Sequence, residues 1–314
     1  MSKGARLAVG LLVVALLVAG GFYWQKSRLN ASQPLSTTGS FYALFDGQDL
    51  RLADGTPLLL AKGELRRFHL AKGRVFWVQV EEGKILELRS PQEGIVGLAR
   101  KEPSQLILKG EAYALPSENA WVASAAEDLE PLPYTGWTPP HPVLAKAYLT
   151  PEGKVGYVAI LSSRDFYAMY HPLANPVEFH IGDDAVFPVE YVTLVGDIAD
   201  HDMVHVDLEK GVAQAPSLLL CSPDADPCQG MERAGEGLQV TVKGKTSVYP
   251  VAYGTWVSRG SPEKGYLPYP KWYPHYGPEE ASHVSLYLTL DGHIGFILDP
   301  NLPAGEDHHD HHSH

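Results

Sequence analysis

Beyond residue 28 the chain never sustains a 3.6-residue apolar period for three turns, which leaves little room for a helical bundle or a doubly wound fold. Short alternating apolar runs recur instead between turn signals, and 30 glycines and 25 prolines are spread along the sequence. The expected fold class is therefore all-β. In the first region the runs are Phe41–Phe45, Leu58–Leu60, Leu65–Leu70, Val75–Val80 and Ile85–Leu88. Asp46-Gly47, Asp54-Gly55, Lys72-Gly73 and Glu82-Gly83 separate them, and glycine accepts the positive φ that tight hairpin turns need. With Ile95–Ala99 and Leu106–Leu108 these runs predict an antiparallel meander closed as a small barrel or sandwich, residues 41–115.

Residues 116–142 carry prolines at 131, 133, 139, 140 and 142, a density that stiffens a connection and is foreign to a central strand. They are expected to form a linker into a second β domain, 143–300, which opens with Ala147–Leu149, a turn at Pro151-Glu152-Gly153, and Val155–Leu161. Within it, Tyr191–Ile198 (YVTLVGDI) and Leu238–Tyr249 (LQVTVKGKTSVY) place glycine inside alternating apolar runs, with Val204–Leu208 and Ser217–Cys221 between them. Residues 190–258 resemble the strand order of an OB-fold, whose coiled strands bend at such glycines. The resemblance implies a small barrel, but OB-like barrels bind many ligands, so it leaves the function open.

Leu7–Trp24 is an uncharged run of 18 residues, about the length that spans a bilayer core as a helix. Tyr23, Trp24, Lys26 and Arg28 follow it as an interface belt would. Residues 1–28 are thus expected to be a single transmembrane anchor, with 29–40 a linker; a cleaved signal peptide ending near Val18-Ala19-Gly20 is the alternative. The expected location is the cell membrane, with the soluble region on the extracytoplasmic side. Cys221 and Cys228, the only cysteines, suit that side: six residues separate them, which predicts a small disulfide-closed loop, with two free thiols or a metal pair as alternatives. Residues after 28 hold 21 basic and 37 acidic side chains, a formal charge of −16 that repels phosphate backbones, so no nucleic-acid partner is expected.

Two constellations point to metal. The tail, 301–314, reads as disordered and ends in His308, His309, Asp310, His311, His312, Ser313 and His314, and imidazoles beside carboxylates capture zinc or copper without a folded geometry. Inside the second domain, His201, Met203 and His205 would share one face if extended, and an imidazole and thioether mixture suits copper; His171 or His180 would strengthen such a site if nearby. No G-x-S-x-G elbow, H-E-x-x-H helix or phosphate-cradling loop is present, and no catalytic residues are assigned. The reading is a non-catalytic accessory or interaction protein of the cell envelope with an envelope protein partner. A copper or zinc delivery module is the first alternative and an envelope hydrolase the second.

Overall fold

The computed structural model describes residues 37–124, 130–260 and 265–302. Sheet A holds four strands, β1 (Gly39–Phe45), β2 (Leu50–Arg51), β3 (Val75–Glu81) and β4 (Lys84–Arg89), in the order β2-β1-β3-β4. β1 is apolar at successive positions because both of its faces are covered. Phe41, Ala43 and Phe45 pack with Leu50, Leu58, Val78 and Ile85, whereas Tyr42 and Leu44 turn toward the next sheet. Leu58–Leu60 is irregular and Leu65 lies in a 3-10 turn, Glu64–Arg67, rather than in strands; Gly63, at φ 86°, starts that turn.

Sheet B comprises β5 (Ile95–Lys101), β6 (Gln105–Leu108), β7 (Glu111–Ala114), β8 (Trp121–Ser124), β9 (Leu132–Pro133), β10 (Val143–Leu149) and β11 (Val155–Ser162). Its order is β7-β6-β5-β10-β11-β8-β9, with β8 parallel to β11. Strands thus come from both sides of residues 116–142 and from within that stretch. Pro133 sits in the edge strand β9, where a missing N–H leaves no ladder bond unmade.

Sheet C contains β12 (Asp165–His171), β13 (Glu178–Ile181), β14 (Asp184–Val186), β15 (Thr193–Val195), β16 (Met203–Asp207) and β17 (Val212–Gln214). One face packs on sheet B through Phe166, Phe179, Val204 and Val206 against Val96, Leu98 and Leu144. Full burial of each such side chain contributes roughly 1.5–3 kcal/mol. Sheet D has the order β18-β25-β26-β22-β23, from β18 (Leu219–Cys221), β22 (Val251–Ser258), β23 (Tyr266–Pro268), β25 (Ser285–Leu288) and β26 (Ile294–Leu298). Sheet E is β21-β20-β19-β24, from β19 (Cys228–Ala234), β20 (Gly237–Val242), β21 (Lys245–Tyr249) and β24 (His275–Tyr276). A disulfide joins Cys221 on sheet D to Cys228 on sheet E, with Cα atoms 5.5 Å apart.

The chain is mostly β, but the strands of 190–258 go to three different sheets, so the OB-like barrel finds no support here. Leu238–Tyr249 is not one bent strand. Lys243 (φ 50°) and Gly244 (φ 72°) turn it into the β20–β21 hairpin, because two successive positive φ values reverse the chain tightly.

The five sheets instead follow a tandem duplication, with Gly39–Ser162 and Asp165–Leu298 as its halves. Tyr148–Val158 (YLTPEGKVGYV) matches Tyr287–Ile297 (YLTLDGHIGFI), and Phe41–Leu44 (FYAL) matches Phe166–Met169 (FYAM). In the first repeat Tyr42 donates to the Leu149 carbonyl at 3.1 Å, over Gly156; in the second Tyr167 donates to the Leu288 carbonyl at 2.9 Å, over Gly295. A Cβ on either glycine would fall within 2.3 Å of the ring, which explains glycine at both. Tyr134 and Trp137 flank one 3-10 turn and Tyr269 and Trp272 another. Lys101 caps the first pair through the Thr135 and Trp137 carbonyls, and Arg233 caps the second through those of Tyr269 and Trp272. Trp121 and Trp256 occupy equivalent parallel strands beside β11 and β26.

Candidate metal centre

The duplication makes the first repeat an internal reference for the second. Leu44 on β1 lies opposite Arg51, and Met169 on β12 lies opposite His180. The turn entering β3 bonds the Gly73 N–H to the Phe45 carbonyl at 2.8 Å, and the turn entering β16 bonds the His201 N–H to the Tyr170 carbonyl at 2.8 Å. Asp46, Arg51, Lys72 and Gly73 therefore correspond to His171, His180, Asp200 and His201. In the first repeat the location is closed by an ion pair, Arg51 Nε to Asp46 Oδ2 at 2.5 Å. In the second it holds three imidazoles.

His171 ends β12 and His201 sits in the turn Ala199–Asp202 that leads into β16. One carboxylate bridges them: Asp200 Oδ1 is 2.9 Å from His171 Nδ1, and Asp200 Oδ2 is 3.1 Å from His201 Nδ1. The two rings are 4.9 Å apart, and His180 stands edge-on to His171 at 5.5 Å. Glu178, opposite His171, lies 2.7 Å from His180 Nε2. Ligand atoms of His171, Asp200 and His201 all lie within 4.8 Å of one another. Tetrahedral ligands about 2.1 Å from an ion lie roughly 3.4 Å apart, a spacing of the same order as that within this group.

The site is braced from sheet D. Tyr266 donates to the His201 carbonyl at 2.8 Å, and Trp256 Nε1 donates to the His180 carbonyl at 3.4 Å. Burial, reinforced by the Asp202 carboxylate, pushes the Tyr266 phenol up to about 12, so it remains a donor throughout the physiological pH range. His201 is held at φ 65°, where Gly73 stands at φ 79° in the first repeat. That left-handed position is unstrained for glycine and unfavourable for histidine.

The sequence-derived trio separates. His201 joins the imidazole cluster from the turn, while Met203 and His205 lie on the buried strand β16. His205 Nε2 is 2.6 Å from Asp165 Oδ2, which also accepts the Leu290 N–H at 2.9 Å. His205 Nδ1 and Asp165 Oδ1 are buried with no hydrogen-bond partner, and His205 is only 2% exposed. Sequence reasoning overlooked Asp200 and Glu178, although Asp200 is the immediate neighbour of His201. His308, His309, Asp310, His311, His312 and His314 lie outside the described residues, as does Leu7–Trp24. Among the described residues no helix is long and apolar enough to cross a membrane.

In the aromatic segment 266–276, Tyr269 and Trp272 are buried and Tyr273 is exposed, and the Asp299 carboxylate takes hydrogen bonds from Trp272 (2.8 Å) and Tyr276 (2.7 Å). An apolar cleft of about 400 Å³ opens beside Trp137 and Ile160, and a wider one of about 990 Å³ lies between sheets A and B. Both border residues outside the described set. Comparison with protein-family models, curated proteins and solved structures finds no match to this chain.

Proposed function

We propose that the protein is a membrane-anchored, non-catalytic accessory protein of the cell envelope that binds zinc or copper on its extracytoplasmic side. The convergence of His171, Asp200 and His201 carries this reading. Imidazoles with a carboxylate are the donors such borderline ions favour, and Asp200 already lies between the two rings. The tail histidines gather ions, and the folded cluster holds one for an envelope protein partner. A hydrolase gains less support: the buried histidine and carboxylate pair His205 and Asp165 is packed between sheets C and D, and Asp165 binds the Leu290 N–H.

The test is elemental analysis of the full chain with its five tail histidines, 308, 309, 311, 312 and 314, changed to alanine and purified without a metal column. We expect close to one zinc or copper ion per chain, and loss of that ion when His171→Ala and His201→Ala are added. Metal content indifferent to those two substitutions, or no uptake at all, overturns the proposal.

A further inference from the structure

The imidazole cluster has neighbours of a softer kind. Met169 lies two residues before His171 on β12, so the two side chains point to the same face about 6.7 Å apart along the strand. Met169 is directly opposite His180 on one side and Met203 on the other. Residues so paired have Cβ atoms about 5 Å apart. One rung of sheet C thus reads His180, Met169, Met203, and the next rung carries Glu178 and His171, with Asp200 and His201 beside them. Met169 is half-buried, whereas Met203 packs behind it against Tyr167 and Phe296.

The first repeat shows what this rung requires for packing alone. Leu44 stands where Met169 does and Val75 where Met203 does, in an aromatic cluster with Tyr42, Trp121, Tyr148 and Tyr157. The second repeat rebuilds that cluster from Tyr167, Trp256, Tyr287 and Phe296. The chain contains four methionines, and two of them replace aliphatic residues at the one rung that abuts three imidazoles. The exchange sets two thioethers on the rung beside the imidazoles. A thioether is a poor zinc ligand and a good one for Cu(I), while imidazole serves copper in both oxidation states.

We infer that the metal of this site is copper, with His180 and the Met169 thioether joining His171, Asp200 and His201 around it. This rests on the metal-binding reading above. Asp200 is the carboxylate the His171 and His201 imidazoles share, and Glu178 holds His180 Nε2, leaving Nδ1 to bind. Met203 backs Met169 and fixes its position.

The experiment uses the full chain with the five tail histidines changed to alanine. Cu(I) is titrated anaerobically in competition with bicinchoninate, and Zn(II) in competition with a zinc-binding dye. Met169→Leu should fold, because Leu44 fills the equivalent place; unchanged far-ultraviolet circular dichroism and thermal midpoint confirm it. We expect it to weaken Cu(I) binding at least tenfold and Zn(II) binding by less than twofold, with His180→Ala weakening both. Cu(I) affinity unchanged by Met169→Leu, or Cu(I) and Zn(II) weakened equally, overturns the copper assignment. If zinc binds and depends on His171 and His201 while Cu(I) ignores Met169, the copper assignment alone falls. If the chain binds neither ion, the metal-binding reading falls with it.

Discussion

His201 is where local energetics and the proposed activity pull in opposite directions. Its backbone conformation is dictated by the turn that delivers the chain into β16, and the equivalent turn in the first repeat meets the same demand with Gly73. Replacing a non-glycine residue at φ near 65° with glycine relieves strain but loosens the unfolded chain, so the net gain is about 1 kcal/mol or less. His201→Gly is accordingly expected to raise the metal-free urea midpoint slightly while lowering metal affinity at least tenfold. Denaturation and metal titration of one purified variant check both. A variant that loses stability and keeps its affinity would make His201 a structural residue. His171 and His180 were flagged in the sequence as useful only if they came close. Their proximity depends on the register of β12 against β13, which places His171 opposite Glu178 and His180 opposite Met169, and single-sequence periodicity does not specify register.

The hairpin of the first repeat offers a control at the same position in the fold. Asp46 accepts N–H bonds from Asp49 and Gln48, both at 2.8 Å, and pairs with Arg51. The Asp49 N–H, then the Arg51 guanidinium and the Gln48 N–H, hold its carboxyl down at about 2. Because the folded value lies below the ordinary one near 3.9, the stabilisation is complete above about pH 4 and is lost as pH falls toward 2. Asp46→Asn is therefore expected to lower the urea midpoint at pH 7 and to differ progressively less from the parent between pH 4 and pH 2. A constant difference across that range would show that the charge is immaterial. Strands with clear alternation and an X-Gly turn were legible in the sequence: Phe41–Phe45, Val75–Val80 and Ile85–Leu88 all fall within β1, β3 and β4. Leu65–Leu70 was misread because Gly63 opens a 3-10 turn there, and a short apolar run does not distinguish turn from strand.

The molecule as a whole is two versions of one β plan. Their shared framework consists of the Tyr42 and Tyr167 contacts over glycine, the parallel β8–β11 and β22–β26 pairs, and the capped Tyr134 and Tyr269 turns. The matching segments YLTPEGKVGYV and YLTLDGHIGFI could have exposed the duplication from sequence. Unequal insertions hide the rest, because the 172–176 connection and the loop closed by Cys221 and Cys228 shift the second repeat out of step with the first. Sheet B is also continuous where the second repeat is split into sheets D and E: β5 pairs with β10, but β25 pairs with β18 and β19 pairs with β24. Against that common framework, the second repeat carries imidazoles and a thioether where the first has an ion pair and aliphatic side chains. The most direct measurement is anomalous diffraction at the copper edge from crystals of the full chain, tail histidines replaced, grown with one equivalent of copper. A single peak among His171, His180, His201 and Met169, with none beside Asp46 and Arg51, is the expected result. Copper at the first-repeat position, or scattered over surface histidines with that cluster empty, would contradict a folded metal site in the second repeat.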